Sequence, residues 1–183
     1  MTQVFPDGHS DGPAALLTHV LPLLPKGRAL DLAMGQGRNA LYLAEQGYEV
    51  EGLDRNEAAV TACRQAAEAR GLRLSVRCVD LEQHRLAPNA YDVILCFYYL
   101  QRSLMPQIHA ALAHGGMIVY ETFLIDNHIR FGHPGRRDYC FEHNELLRAF
   151  PALRVLYYRE GLSEHGTYLA GLVAQRSHGG GTG

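Results

Sequence analysis

"LDLAMGQGRNA", residues 30–40, runs apolar for the length of a short strand, breaks into a turn punctuated by Gly35 and Gly37, and opens at once into a helical pattern. Its flanks decide the reading. "RALDLA" carries one charge beyond its first residue, Asp31, as a strand buried on both faces does. "RNALYLAEQ" is then followed directly by a second apolar run, "YEVEGLD". Strand, helix, strand is therefore the unit of this chain.

The unit repeats. Asn56 caps a helix through "EAAVTACRQAAEAR", Gly71 ends it, and "LRLSVRCVD" alternates like a strand. "YDVILCFYY" predicts another buried strand, "SLMPQIHAALAH" a helix up to Gly115 and Gly116, and "GMIVYETF" a fifth strand. Such alternation needs crossover connections, so the expected fold class is α/β, a doubly wound, mostly parallel sheet. The end departs from it: "LRVLYYREG" and "TYLAGLVAQR", joined by "LSEHG", should pair as an antiparallel C-terminal hairpin. "DGPAALLTHVLPLLPKG" predicts a leading helix with Asp11 as N-cap and Pro13 in its first turn, stopped by Pro22 and Pro25. The expected organisation is one domain over residues 1–176, of which 1–25 are the leading segment, with "SHGGGTG" (177–183) a disordered tail.

Composition narrows the function classes. With 183 residues and 47% apolar content the chain is long enough for one substantial core, and its net charge of −2 offers no overall attraction to nucleic acid or anionic lipid. No uncharged apolar stretch approaches the ~20 residues that span a bilayer, and the N-terminus lacks the basic and apolar blocks of a signal peptide. Cys63, Cys78, Cys96 and Cys140 form no CxxC pair, which predicts free thiols in a reducing cytoplasm. The expected partner is a small molecule, with neither nucleic acid nor membrane, and the chain a monomer or homodimer.

In an open α/β sheet the ligand lies beyond the carboxyl ends of the strands, where Gly35 and Gly37 fall. Backbone without Cβ bends sharply and approaches a ligand closely, while the following helix offers free N–H groups. Asp54 ends the second strand, placed to accept from ribose hydroxyls, and Asp80 with Leu81 follows the third, near a base. "GQGRNA" also satisfies the dinucleotide pattern G-x-G-x-x-[GA]. Asp31 separates the readings, because a carboxylate inside the first strand suits a cationic ligand group better than a pyrophosphate. S-adenosylmethionine carries an ammonium and a sulfonium; NAD presents two phosphates.

In "ALDLAMGQGRNALYLAEQGYEVEGLDRNEAAV", "CVDLEQ" and "YDVILCFYYL" the chain resembles the class I S-adenosylmethionine-dependent methyltransferases, and "GQGRNALYLAEQGYEV" is similar to the small bacterial methyltransferases of the tellurite-resistance type. The resemblance implies a Rossmann-like sheet of about seven strands. It implies that Asp31, Gly35 and Gly37 line the methionine end of the cofactor, Asp54 the ribose, Asp80 and Leu81 the adenine, and Cys96 with Phe97 the floor under the sulfonium. Ala33, Asn39 and Arg55 are assigned to the same cofactor set. Ala33-Met34 departs from the Gly-Cys or Gly-Ser common at this point, which makes the turn stiffer and puts Met34 close to the crevice. "FPDGHSDGP", with His9, is expected to act as a lid.

The acceptor should be met by "CFYYLQR" after the fourth strand and "ETFLIDNHIRFGHPGRRDYCFEH" after the fifth. The second segment reads as a long loop bearing Arg130, Arg136, Arg137, His128 and His133, and so as a site for an anionic small acceptor with His128 or His133 as base. Tyr98 and Glu121 join the catalytic candidates, and Tyr99 and Arg102 join the three arginines as substrate-binding candidates. The plain alternatives are a surface loop for the histidines, a solvated pair for Arg136-Arg137, sheet-capping rings for Tyr98 and Tyr99, and a structural hydrogen bond for Glu121. His19, His84, His109, His114 and His178 read as solvated or packing residues, and His133, Cys140 and His143 match no zinc spacing, so no metal is expected. Two other functions stay open: an NAD(P)-dependent oxidoreductase, which the lack of a Tyr-x-x-x-Lys pair in a chain whose one lysine is Lys26 disfavours, and a non-catalytic cofactor-binding module.

Overall fold

In the computed structural model, which describes residues 12–177, the chain opens with α1 (Ala15–Val20) and then alternates through β1 (Arg28–Leu32), α2 (Arg38–Glu45), β2 (Glu49–Asp54), α3 (Glu57–Ala69), β3 (Leu74–Cys78) and β4 (Tyr91–Phe97). It continues through α4 (Met105–Ala111), β5 (Leu112–Phe123), α5 (Ile125–Phe131), α6 (Glu145–Ala149), β6 (Leu153–Leu162) and β7 (Tyr168–Arg176). All seven strands form one sheet in the order β3-β2-β1-β4-β5-β7-β6. The first five are mutually parallel, and β7 runs antiparallel to both β5 and β6. This is the expected doubly wound sheet with its antiparallel end.

Strand alternation sends side chains to two cores. Leu30, Leu32, Ile94, Ile118 and Tyr120 point to one face, covered by α4, α6 and the rings of Phe141 and Phe150. Ala29, Val93, Leu95, Phe97 and Val119 point to the other, covered by α1 and α2 through Leu17, Val20, Ala40 and Leu43. A third cluster, Met34, Leu41, Val60, Cys63 and Ala67, joins α2 to α3. Asn56 caps α3 by accepting from the Ala59 N–H at 3.2 Å, and Gly71 follows that helix at φ +66°.

Four element boundaries differ from expectation. The helix before β5 stops at Ala111, because the Ala110 and Ala111 carbonyls accept from Asn89 and Ala90 and draw the chain into the sheet. The pair Gly115-Gly116 therefore sits inside β5 as an irregularity, where a Cβ on Gly116 would lie 2.9 Å from two carbonyl oxygens. β4 ends at Phe97, since Tyr98 takes a left-handed backbone at φ +54°. The segment after β5 is no free loop but holds α5, closed by Gly132 at φ +65°. α1 starts after Ala14, which has no side-chain cap. Asp11, residues 5–11 of the expected lid with His9, His178 and the tail beyond Ser177 lie outside the described residues.

Gly37 shows how tightly the turn is built. Its backbone is left-handed at φ +81°, and a Cβ there would fall 2.2 Å from Cys63 Sγ on α3. Gly37→Ala is expected to lower stability by about 2–4 kcal/mol from overpacking and backbone strain together. Adding Cys63→Ala removes the collision but not the strain, so chemical denaturation should show a partial recovery in the double variant.

Candidate active site

The turn after β1 is stitched to the turn after β2. The Met34 N–H donates to the Leu53 carbonyl at 3.0 Å and the Gly35 N–H to Asp54 Oδ2 at 2.7 Å. Asp54 Oδ1 accepts from the Asn56 N–H at 2.8 Å, so two backbone amides aim this carboxylate. Ala33 sits at φ +53°, a conformation that favours glycine, which gives the expected stiffness of the turn a concrete form. Met34 turns away from the crevice into the cluster between α2 and α3; its Sδ would be 2.2 Å from a Cβ on Gly52. Gly35, at φ +57°, has open space where its Cβ would be. Of the two glycines, Gly37 makes room for Cys63 and Gly35 leaves backbone bare towards the crevice.

Asp31 lies one strand in from Asp54 and is 2% exposed. Its carboxylate accepts from the Ala40 N–H at the start of α2, while Oδ2 has no hydrogen-bond partner among the described residues. Burial raises its pKa from 3.8 to about 7, with Ala40 and the nearby Arg38 charge pulling the other way. Asp80 closes the far side: Oδ1 accepts from the Glu82 N–H at 3.0 Å and Oδ2 from Gln83 Nε2 at 3.1 Å. Gln101 ties the loops after β3 and β4 together, taking the Tyr99 hydroxyl at 2.7 Å and donating to the Leu81 carbonyl at 3.4 Å.

Beyond the end of β4 on the α1/α2 face lies a cavity of about 490 Å³, whose lining includes Leu16, Arg38, Tyr98, Glu121, Tyr157 and Arg159. Glu121 is 7% exposed; burial pushes its carboxyl above the ordinary 4.5, and Arg159 and Arg38 pull it partly back. Arg38 stands between the two hollows. Its guanidinium lies 5.7 Å from the Tyr98 ring centroid, it donates to the Gly12 carbonyl at 3.4 Å, and its charge acts on both Asp31 and Glu121. A wider groove, about 1090 Å³, follows the outer edge of β3, far from the strands' carboxyl ends. Its lining includes the ion pairs Arg28–Glu49 and Arg77–Glu51, and none of the turn residues reach it.

A family model described as tellurite resistance protein TehB matches residues 14–170. The chain belongs to the TehB family. The TehB protein of Haemophilus influenzae, named as a probable S-adenosyl-L-methionine-dependent methyltransferase, is 30% identical over 146 residues, covering 75% of this chain and 49% of that protein. The chain thus spans about half the length of the curated relatives it matches. The crystal structure of TehB from Haemophilus influenzae superposes with a TM-score of 0.74 at 23% identity, over 88% of this chain and 61% of that one. An S-adenosylmethionine-dependent methyltransferase from Mesorhizobium loti superposes with a TM-score of 0.72 at 20% identity, over 89% and 98%. The fold is that of these proteins.

Within this TehB-family chain the predicted residues fall into two groups. Asp31, Ala33, Gly35, Gly37, Asp54, Arg55, Asp80, Leu81, Cys96 and Phe97 converge at the carboxyl ends of β1 to β4. Cys96 is wholly buried, its thiol directed at the Tyr99 carbonyl, and Phe97 packs towards α1. Asn39 faces the leading segment instead, accepting from the Ala14 N–H at 2.8 Å. Tyr99 lies on the Asp80 side, among the charges of Asp80, Glu82 and Arg55.

The basic side chains after β4 and β5 already have partners. Arg102 reaches Glu145 through Nε and Nη2, the Asp138 carbonyl at 2.8 Å and the Cys140 carbonyl at 2.9 Å. Arg136 pairs with Asp138 at 3.2 Å, Arg137 with Glu142 at 2.8 Å, and Arg130 stacks on Tyr168. His128 Nδ1 donates to the Pro134 carbonyl at 2.8 Å, and the His133 ring meets Phe123 edge-on, one ring removed from Tyr98. Neither histidine lines the cavity. His143 pairs with Asp126, and among the described residues no three His, Cys, Asp or Glu side chains come together as a metal site. No helix among them is long and apolar enough to cross a membrane. The sequence reading missed Arg38, Arg159 and Gly171; Arg38 is the one with a visible signal, the first helical residue of "GQGRNA".

The raised pKa of Asp31 has a sign. The folded chain holds this proton more tightly than the unfolded chain, so the group's contribution is full below the ordinary value of 3.8 and is lost as pH rises through about 7. Its span is on the order of 4 kcal/mol. Asp31→Asn should flatten this decline in the ligand-free chain, as read by urea denaturation between about pH 5 and pH 8.

Proposed function

We propose that this chain is an S-adenosylmethionine-dependent methyltransferase acting on a small molecule bound in the cavity beside Glu121. The observation that carries the reading is the unmet Oδ2 of buried Asp31: a carboxylate held out of water calls for a cation, and the ammonium of the cofactor's amino-acid end supplies one. The bare backbone at Gly35, the aimed carboxylate of Asp54 for the ribose hydroxyls, and Asp80 with Leu81 beside the base complete a fit. When bound, S-adenosylmethionine supplies an electrophilic methyl group, its C–S bond breaking with the electron pair left on sulfur. A pyrophosphate next to Asp31 would meet a like charge, which argues against a nicotinamide dinucleotide. Free thiols at Cys63, Cys78, Cys96 and Cys140 favour a reducing, cytoplasmic setting.

Glu121 is the base in this reading. It reaches the cavity, and its burial raises its affinity for a proton above that of an ordinary carboxylate, as a base requires. The aromatic walls, Tyr98 and Tyr157, exclude water from the reacting groups, and Arg38 holds the leading segment over them.

Two measurements test this. S-adenosylhomocysteine at 100 times its dissociation constant should raise stability by about 2.7 kcal/mol, an evident thermal shift, whereas NADH should give none and Asp31→Asn should lose the effect. With Arg38, Arg159 and Tyr98 the charged and titratable groups around Glu121, turnover should rise with pH through a midpoint above 4.5. Glu121→Gln should remove that limb and lower kcat by about 10²–10⁴-fold. His133→Ala should leave the limb in place; its disappearance would assign the base to His133 instead.

A further inference from the structure

On the α1/α2 face the row Phe97, Glu121, Gly171, Arg159 runs straight across β4, β5, β7 and β6, since Glu121 and Arg159 are both paired with Gly171. Gly171 puts no side chain between them; a Cβ there would sit 3.2 Å from Glu121 Oε2, 3.3 Å from Leu16 and 3.7 Å from Arg159 Cγ. Two opposite charges thus flank a slot, yet they do not pair. Neither the Glu121 carboxylate nor the Arg159 guanidinium makes a hydrogen bond or ion pair with any described residue, although both line the cavity. A buried acid and a half-buried fork of donors, neither of them hydrogen-bonded and both lining the same cavity beside Arg38, mark the two ends of a ligand that carries both charges.

Resting on the methyltransferase reading above, we infer that the acceptor is a small amino acid in the broad sense, one amine and one carboxylate, with the carboxylate held by Arg159 and the amine turned to Glu121. Strand spacing separates this site from the cofactor's cation site. At about 4.8 Å per strand, Arg159 lies four strands or ~19 Å across the sheet from Asp31, and Glu121 two strands or ~10 Å. The cofactor's amino-acid end at Asp31 therefore leaves Arg159 for the acceptor, and Glu121 falls between them. The cavity's 490 Å³ lies in the ~300–1,000 Å³ range that houses small organic molecules and far exceeds what a three-oxygen inorganic anion fills. The chemistry balances: the acceptor ammonium gives one proton to the Glu121 carboxylate, the freed nitrogen pair forms the N–CH₃ bond as the C–S bond breaks onto sulfur, and a methylated ammonium and neutral thioether result.

The test is calorimetric titration of the whole chain, saturated with S-adenosylhomocysteine, with a series of growing charge separation: glycine, β-alanine, γ-aminobutyrate and para-aminobenzoate. At least one member should bind. Removing either charge, as in benzoate or para-aminobenzamide for the last, should weaken binding about tenfold or more. Arg159→Gln should weaken the bound amino acid by a similar factor while leaving its neutral amide and S-adenosylhomocysteine unaffected. Glu121→Gln should spare or tighten benzoate, having lost a like charge. The inference is overturned if no member binds at millimolar concentration, if tellurite binds and the series does not, or if Arg159→Gln weakens acid and amide alike. Failure of S-adenosylhomocysteine itself to bind overturns the cofactor reading, a separate outcome.

Discussion

A carboxylate sits inside the sheet with one oxygen unanswered, and the arrangement of the crevice follows from that. Asp31 is on β1, flanked by β2 and β4 and roofed by α2, so water does not reach it. A group so placed either keeps its proton or meets a cation. Among the described residues it has the Ala40 N–H and the charge of Arg38, neither of which satisfies Oδ2. A site left short of one positive contact favours ligands that bring it and penalises those that bring a negative group, which is selectivity by desolvation.

Arg38 joins that site to the acceptor cavity. As the first residue of α2 it faces Asp31 on one side and Glu121 and Tyr98 on the other, and it holds Gly12, while its neighbour Asn39 holds Ala14. The start of α2, the segment at residues 12–14 and the end of β4 are therefore tied together. The strained backbones of Ala33 and Tyr98, both left-handed, bracket these contacts at the two strand ends.

The helix α5 and the arginines after it illustrate how a basic run misleads. Arg102, Arg136 and Arg137 look like anion ligands when only their spacing is seen. In the fold Arg136 and Arg137 find acceptors on their own segment, and Arg102, just after β4, reaches across to fasten residues 138–145 to the end of β4. Arg159, by contrast, makes no hydrogen bond or ion pair among the described residues and lines the cavity together with Arg38 and Glu121.

Much was legible in the sequence because the deciding terms are local. Apolar runs bounded by glycine and asparagine mark strands and caps through backbone preference alone, so the doubly wound sheet, the hairpin and the convergence of Asp31, Gly35, Asp54 and Asp80 follow from spacing. Contacts between distant segments are a different matter. That Gly37 is glycine for the sake of Cys63 depends on how α3 packs on α2. That Arg159 faces Glu121 depends on a register shift between Val155 and Tyr157, which changes the face on which every later side chain of β6 stands. Strict alternation from Leu153 would have turned Arg159 to the opposite core. Periodicity tells which residues share a face; only the paired sheet, with its one extra residue, decides which face that is.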